Sequence, residues 1–140
     1  YWGSGNASKT VTGVKAADSD AVYLAIDSTK DCHSGMTTAD EGKASTEVIA
    51  KAGQTVPVLM DASGKVGREY GAKTTPHIFI VDGTGNVVYI GAPMSEDGKT
   101  SYIVDAVTAL KAGKPVNPSK TKNSGCGVKY ASPKAEKAAA

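Results

Sequence analysis

The stretch Thr74-Thr-Pro-His-Ile-Phe-Ile-Val-Asp-Gly-Thr-Gly-Asn-Val-Val-Tyr-Ile90 decides the fold of this chain. Within it, two β-branched runs, His77–Asp82 and Val87–Ile90, flank a short loop rich in glycine. Loops of this kind join antiparallel strands, so the stretch predicts a β-hairpin. Pro76 directly precedes the first strand, where proline is tolerated because that position need not donate a hydrogen bond to the ladder.

A strand and a helix are predicted upstream of the hairpin. Ala21–Ile26 is an apolar run between polar clusters, which is typical of a buried parallel strand. The sequence Thr38-Ala-Asp-Glu41 matches a capping box and predicts a helix that begins there and ends at Gly53. Because a strand followed by a helix returns to the sheet by a right-handed crossover, we expect an α/β fold with a mixed sheet and flanking helices.

Apolar spacing and capping residues predict the remaining elements. These are a helix over Asn6–Ala17, an extended segment over Val56–Met60, a short helix capped by Ser63 and ended by Gly71, and a helix over Ile103–Leu110 capped by Ser101 and ended by Gly113. The remaining residues, Val116–Ala140, are predicted to be irregular.

The composition excludes several function classes. The chain has 140 residues, which suits one domain. Its apolar runs are far shorter than the roughly 18 residues needed to cross a bilayer, so no membrane span is predicted. Positive charge gathers in Lys111–Ala140, but without arginine and with little aromatic interleaving, so we predict no nucleic-acid partner. The two cysteines form neither a C-x-x-C pair nor a zinc pattern, and they leave the cellular compartment open.

Two blocks of sequence carry a resemblance to a known family. The run Asp61-Ala-Ser-Gly-Lys-Val-Gly-Arg-Glu-Tyr-Gly-Ala-Lys-Thr-Thr-Pro-His-Ile-Phe-Ile-Val-Asp82 and the later run Thr121-Lys-Asn-Ser-Gly-Cys-Gly-Val-Lys-Tyr130 resemble the thioredoxin-like redoxins. These belong to the broad AhpC/TSA group that includes peroxiredoxins. The resemblance implies a thioredoxin-like domain over residues 1–130 and a flexible tail over residues 131–140.

The resemblance also implies an activity and its partners. It indicates a thiol-dependent oxidoreductase, active in thiol-disulfide exchange or in peroxide reduction. The implied partners are a thiol or disulfide substrate or a peroxide, together with a thiol reductant. No cofactor and no metal are implied.

The same resemblance assigns the candidate site residues. Pro76 is implied to be a cis-proline whose loop lies against the active-site cysteine, at the edge of a surface groove. Thr75 is implied to offer backbone hydrogen bonds to a bound thiol or peptide. Cys126 is the candidate catalytic residue, as a resolving cysteine that attacks a mixed disulfide or a sulfenic acid. The alternative for Cys126 is an incidental free thiol in a flexible loop.

One feature of the family pattern is not found in this sequence. In the family, a Cys-Pro motif opens the active-site helix, and its cysteine would fall roughly seven residues before Tyr1. We therefore expect the nucleophile, and a central strand between Ala21–Ile26 and His77–Asp82, to belong to a missing amino-terminal segment. The alternative function is a non-catalytic binding module that holds a peptide or partner at the loop of Thr75 and Pro76.

Other chemistry-bearing residues are weaker candidates. Cys32 and His33 suggest a nucleophile and a base, but adjacent residues on a loop seldom point at one another. A metal site of Cys32, His33 and His77 lacks a fourth ligand at a suitable spacing. His77 is instead expected to pack beside the hairpin. The loop from Asp82 to Asn86 is predicted to be a hairpin turn, since it has neither the helix of a phosphate loop nor the carboxylate spacing of a calcium loop.

Overall fold

The computed structural model of the protein describes residues 5–30 and 35–131. The helices are α1 (Asn6–Ala17), α2 (Thr38–Lys51), α3 (Lys65–Tyr70) and α4 (Tyr102–Lys111). The strands are β1 (Ala25–Asp27), β2 (Val58–Met60), β3 (Thr74–Thr75), β4 (Ile78–Val81), β5 (Val87–Gly91) and β6 (Cys126–Gly127).

The described residues form two compact units. The first unit comprises residues 5–22 and 74–126, with α1, α4, the β4–β5 hairpin and Cys126. The second unit comprises residues 23–30, 35–73 and 127–131, with β1, β2, α2 and α3. None of the described helices combines the length and the hydropathy that a membrane span needs.

The hairpin of the first unit confirms its prediction. Strands β4 and β5 are antiparallel, with Ile78 opposite Gly91 and Phe79 opposite Ile90. The turn between them is organised by the Asp82 carboxylate, which accepts hydrogen bonds from the Thr84 hydroxyl at 2.7 Å and from the Asn86 amide at 3.0 Å. Because one side chain satisfies several donors of the turn, the loop needs no bound ion to close it.

The two helices of the first unit pack against each other at a glycine. A methyl group added at Gly13 of α1 would lie 2.8 Å from Val104 Cγ2 of α4. Glycine weakens a helix, but here it permits a close approach of the two helices. The α4 helix begins and ends as predicted, since the Ser101 hydroxyl accepts a hydrogen bond from the Val104 amide and Gly113 follows with a φ of 70°.

The parallel strand pair of the second unit differs from its prediction in length and burial. Strands β1 and β2 are parallel, as expected, with Ala25 opposite Val58. The strand covers Ala25–Asp27 rather than Ala21–Ile26, and the exposed fractions of Val22 and Ile26 are 81% and 42%. The prediction of a buried strand was wrong because apolar composition gives burial only where other elements cover both faces of the sheet.

The amino-terminal caps of two helices lie next to the predicted ones. In α2 the cap is Thr37 rather than Thr38, and its hydroxyl accepts from the Asp40 amide at 3.2 Å and donates to the Asp40 carboxylate at 2.7 Å. Thr37 with Asp40, and Thr38 with Glu41, have the same capping-box spacing. The helix uses the first of these two pairs. The predicted end is confirmed, because Gly53 follows α2 with a φ of 75°.

The cap of α3 is Gly64 rather than Ser63. Gly64 has a φ of 74° and makes no side-chain cap. The first turn is held by the Asp61 carboxylate, which accepts a hydrogen bond from the Gly67 amide at 2.9 Å and from the Ser28 hydroxyl at 2.7 Å. The Ser63 hydroxyl also accepts a hydrogen bond, from the Lys65 amide at 3.3 Å. A carboxylate near a helix start satisfies free amides and favours the helix dipole, so Asp61 and Ser63 share the capping role that was expected of Ser63.

The described strands form separate pairs rather than one wide sheet. The pairs are β1–β2, β3–β6 and β4–β5. Parallel and antiparallel pairing both occur, as the prediction of a mixed sheet requires. Strands β1 and β4 belong to different pairs and to different units, and residues 6–17 form a helix. The expected central strand between β1 and β4 stays a prediction.

Candidate functional site

The proline loop has the cis peptide that the family resemblance implied. The peptide bond between Thr75 and Pro76 is cis. Thr75 is exposed in β3 and Pro76 is half-buried. The Thr74 hydroxyl donates a hydrogen bond to the Pro76 carbonyl at 3.1 Å, so a side chain of the loop also fixes its backbone.

Cys126 lies beside this loop. It is an exposed free thiol in β6, which pairs with β3. The residue before it, Gly125, lies against the loop, because an added methyl group there would be 2.9 Å from the Thr75 carbonyl carbon and 3.4 Å from Pro76 Cδ. The structure thus brings together Thr75, Pro76 and Cys126 from two distant parts of the chain. The prediction of an irregular segment for Cys126 was wrong, since pairing with β3 makes it a short strand.

The segment that carries Cys126 is attached to the hairpin upstream of the thiol. The Ile90 amide donates to the Ser119 carbonyl and the Thr121 amide donates to the Ile90 carbonyl, both at 3.0 Å. The Thr121 hydroxyl lies 2.7 Å from the Tyr89 hydroxyl and accepts from the Ala92 amide at 3.0 Å. The segment therefore continues the hairpin as a parallel neighbour of β5.

Tyr89 is the buried end of this attachment. Its side chain is fully buried, and its hydroxyl donates a hydrogen bond to the Ala92 carbonyl at 2.5 Å. Burial raises the pKa of the Tyr89 hydroxyl above its usual value, while the hydrogen bond to Thr121 opposes the rise. The group is therefore a neutral hydrogen-bond donor over the physiological pH range.

A second contact ties the thiol segment to the proline loop itself. The Asn123 side-chain amide donates a hydrogen bond to the Thr74 hydroxyl at 3.2 Å. Asn123 was not singled out from the sequence. The signal that could have found it is the alternation of Ser119, Thr121 and Asn123, a period of two that is typical of extended chain. A second cis peptide, between Asn117 and Pro118, was not anticipated either.

The chemistry open to Cys126 follows from its surroundings. It lies in a strand rather than at the amino terminus of a helix, where a thiol is most easily made acidic. Its exposure leaves the sulfur accessible to a partner. This arrangement suits a thiol that attacks an already activated sulfur better than one that starts the reaction.

The other sequence candidates have different outcomes. Cys32 and His33 lie outside the described residues. The His77 ring lies 4.7 Å from the ring of Phe79, centroid to centroid, which confirms the expected packing beside the hairpin. Among the described residues there is no group of three or more potential ligands that could hold a metal ion.

One shallow depression of the described surface does not supply the groove predicted beside Pro76. That depression is lined by residues at the start of α2, among them Met36, Asp40 and Lys43. Neither Thr75 nor Pro76 lines it. The groove at the proline loop remains a prediction.

The structure has an α/β fold with a cis-proline loop beside a thiol. Comparison with known proteins identifies the family to which this arrangement belongs. The family model for redoxins matches residues 9–108. The chain belongs to the redoxin family, and its fold is thioredoxin-like. No curated protein matches the chain.

Two solved structures are similar to this chain. The crystal structure of a hypothetical protein from Sinorhizobium meliloti 1021 is 27% identical, with a TM-score of 0.73, and the alignment covers 91% of this chain and 71% of that one. The crystal structure of an uncharacterized conserved protein from Geobacillus kaustophilus is 23% identical, with a TM-score of 0.60, over 79% of this chain and 60% of that one. The second likeness supports the fold alone, and the chain spans less than two thirds of that protein's length.

Proposed function

We propose that this chain is part of a thiol-dependent oxidoreductase in which Cys126 is the resolving cysteine at the proline loop. In this proposal the attacking cysteine is neither Cys126 nor Cys32. The observation that carries the proposal is the position of Cys126 beside Thr75 and Pro76, because β6 pairs with β3. Membership of the redoxin family supports the same chemistry.

The proposed step is a disulfide exchange. The attacking cysteine is first joined to the substrate as a mixed disulfide, or oxidised by a peroxide to a sulfenic acid. The Cys126 thiolate then attacks the sulfur of that cysteine and forms a new S–S bond. The bond from that sulfur to the substrate breaks, and the substrate leaves as a thiolate, or the hydroxyl leaves and is protonated to water. A thiol reductant supplies the electrons that restore both thiols.

The test uses the Cys32→Ser variant, in which Cys126 is the sole thiol of the chain. The probe is a synthetic Cys-Pro peptide whose cysteine carries thionitrobenzoate in a mixed disulfide. Attack by Cys126 on the peptide sulfur releases coloured thionitrobenzoate and leaves the peptide attached to the chain. We expect exchange at least about tenfold faster than with a free Gly-Cys-Gly peptide, since the proline loop aligns the two sulfurs.

Mass spectrometry of the product and a double variant complete the test. The adduct should map to Cys126 and should be absent when Cys126→Ser is added to Cys32→Ser. Exchange no faster than that of the free peptide would contradict the proposal. The alternative of a non-catalytic binding module is favoured if binding does not depend on sulfur. In that case a serine analogue of the peptide binds the double variant as tightly as the cysteine peptide binds the wild type.

A further inference from the structure

Cys126 is flanked by two residues that cannot hold it in place by their side chains. Gly125 and Gly127 lie on either side of it, and glycine gives a chain more conformational freedom than any other residue. A thiol in such a setting samples many positions unless other contacts restrict the segment. The rate of exchange at the proline loop therefore depends on what restricts it.

Besides the pairing of β6 with β3, a relay of side chains restrains the segment. The Thr74 hydroxyl carries one proton, which it donates to the Pro76 carbonyl at 3.1 Å. Its oxygen is then left to accept, and the Asn123 amide donates to it at 3.2 Å. The direction of both hydrogen bonds is thus determined, and Asn123 acts as the donor.

The hydrogen bond of Asn123 and the packing of Gly125 act at the same place. Gly125 lies against the peptide between Thr75 and Pro76. Asn123 is half-buried and bonded to the residue before that peptide. Together they hold the third and the first residue before Cys126 against the proline loop, so the position of Cys126 follows from them.

We propose that Asn123 is a positioning residue for Cys126, acting through the Thr74 hydroxyl. This inference rests on the proposed function, because it concerns the rate at which Cys126 reaches a sulfur at the proline loop. Asn123 does not touch the reacting atoms. It limits where the thiol segment lies and leaves the chemistry of the thiol unchanged.

The experiment compares two reagents on the same variants, all carrying Cys32→Ser. The thionitrobenzoate peptide must reach the proline loop, whereas iodoacetamide alkylates an exposed thiol without docking there. With Asn123→Ala, peptide exchange should slow about fivefold, the effect expected for one side-chain hydrogen bond, while iodoacetamide alkylation keeps its rate. With Asn123→Asp the slowing should be smaller than with Asn123→Ala, since the Thr74 hydroxyl can turn from the Pro76 carbonyl and donate to the carboxylate.

Variants of the partner residue test the relay. Thr74→Val removes the hydroxyl at nearly constant shape and should slow peptide exchange at least as much as Asn123→Ala does, because the hydrogen bond to the Pro76 carbonyl is lost as well. Thr74→Ser keeps the hydroxyl, so its rate of peptide exchange should be closer to the wild-type rate than that of Thr74→Val. When Asn123→Ala and Thr74→Val are combined, the loss should be smaller than the product of the two single losses.

The matched control is Asn86→Ala in the hairpin turn. Asn86 also donates its side-chain amide to a threonine hydroxyl, that of Thr84 at 2.9 Å, but it lies outside the site. Its variant should exchange with the peptide at the wild-type rate. Melting temperatures of all variants report any change in folding.

The outcomes separate this inference from the proposed function. An unchanged peptide rate in Asn123→Ala, or an equal slowing of peptide exchange and alkylation, would overturn the inference and leave the proposed function standing. Absence of Cys126-dependent exchange in the parent Cys32→Ser chain would overturn the proposed function, and the inference with it.

Discussion

At the scale of single residues, glycine and asparagine decide where the thiol lies. Thr75, Pro76 and Cys126 were candidates because the blocks around them resemble the redoxin family. Gly125 and Asn123 were not, since their roles depend on what they touch. Gly125 has a φ of 130° and lies against the Thr75 carbonyl. This position therefore requires both the backbone freedom of glycine and its lack of a side chain.

A substitution at Gly125 should displace the thiol segment. Gly125→Ala places a methyl group against the Thr75 carbonyl, and overpacking of this kind costs about 1–3 kcal/mol. We expect trypsin to cleave after Lys122 about tenfold faster in this variant, since proteolysis follows the population of the detached segment. Cleavage is followed by mass spectrometry of the native protein.

Gly85→Ala is the control for backbone strain. Gly85 also has a positive φ, of 89°, but nothing lies within 4 Å of an added methyl group. This variant loses stability only through its conformation, so cleavage after Lys122 should stay near the wild-type rate. Equal cleavage in the two variants would show that the contact with Thr75 does not hold the segment.

At the scale of elements, local patterns predicted the hairpin and the ends of α4, whereas burial and strand pairing followed other rules. The β4–β5 hairpin needs only its own strands and the Asp82 turn, so the sequence contains all of its determinants. The length and exposure of β1 depend on which elements cover it, and β6 exists only because β3 lies beside it. Elements that need a distant partner were therefore the ones misjudged.

The hairpin turn should depend on pH through Asp82. The hydrogen bond from the Thr84 hydroxyl, followed by that from the Asn86 amide, lowers the pKa of this carboxyl below its usual value. A lowered pKa in the folded state stabilises the protein above the unfolded pKa of about 3.9, and this contribution is lost as the pH falls through the folded value. Asp82→Asn should therefore be less stable than the wild type at neutral pH, and the two should converge in acid.

Denaturant unfolding at a series of pH values measures this difference. Asp97 also has a lowered pKa, chiefly through the Ser95 hydroxyl, but it is present in both proteins and its contribution cancels. Thr84→Val removes the strongest donor and should reduce the pH dependence that separates wild type from Asp82→Asn. A constant difference between wild type and Asp82→Asn across the acid range would contradict this role of the carboxylate.

At the scale of the whole molecule, family membership and fold are established while the reaction remains a proposal. The redoxin match covers residues 9–108, and the likeness to the Sinorhizobium protein covers 91% of the chain. The described residues form two units, and the three candidate site residues all belong to the first. The tail over residues 132–140 lies outside the described residues, so its predicted flexibility stays a prediction.

The 140-residue chain alone should show little or no catalytic turnover. Cys126 lies in a strand, without the helix terminus that makes an attacking thiol acidic, and we expect it to react once rather than to cycle. Peroxide consumption and disulfide reduction are measured with dithiothreitol as the reductant. Robust turnover that survives the combined Cys32→Ser and Cys126→Ser substitutions would refute the assignment of thiol chemistry altogether.

The sequence by itself determined the hairpin and the α4 helix, because they are encoded in short runs of neighbouring residues whose propensities act locally. The cis-proline at position 76 and the candidate thiol came from the resemblance of the sequence to the redoxin family. Only the tertiary structure decided that Cys126 lies beside Thr75 and that Asn123 bonds to Thr74. The physical reason is that backbone groups of an extended segment can pair with any open strand, so its partner is chosen by the packing of the rest of the chain.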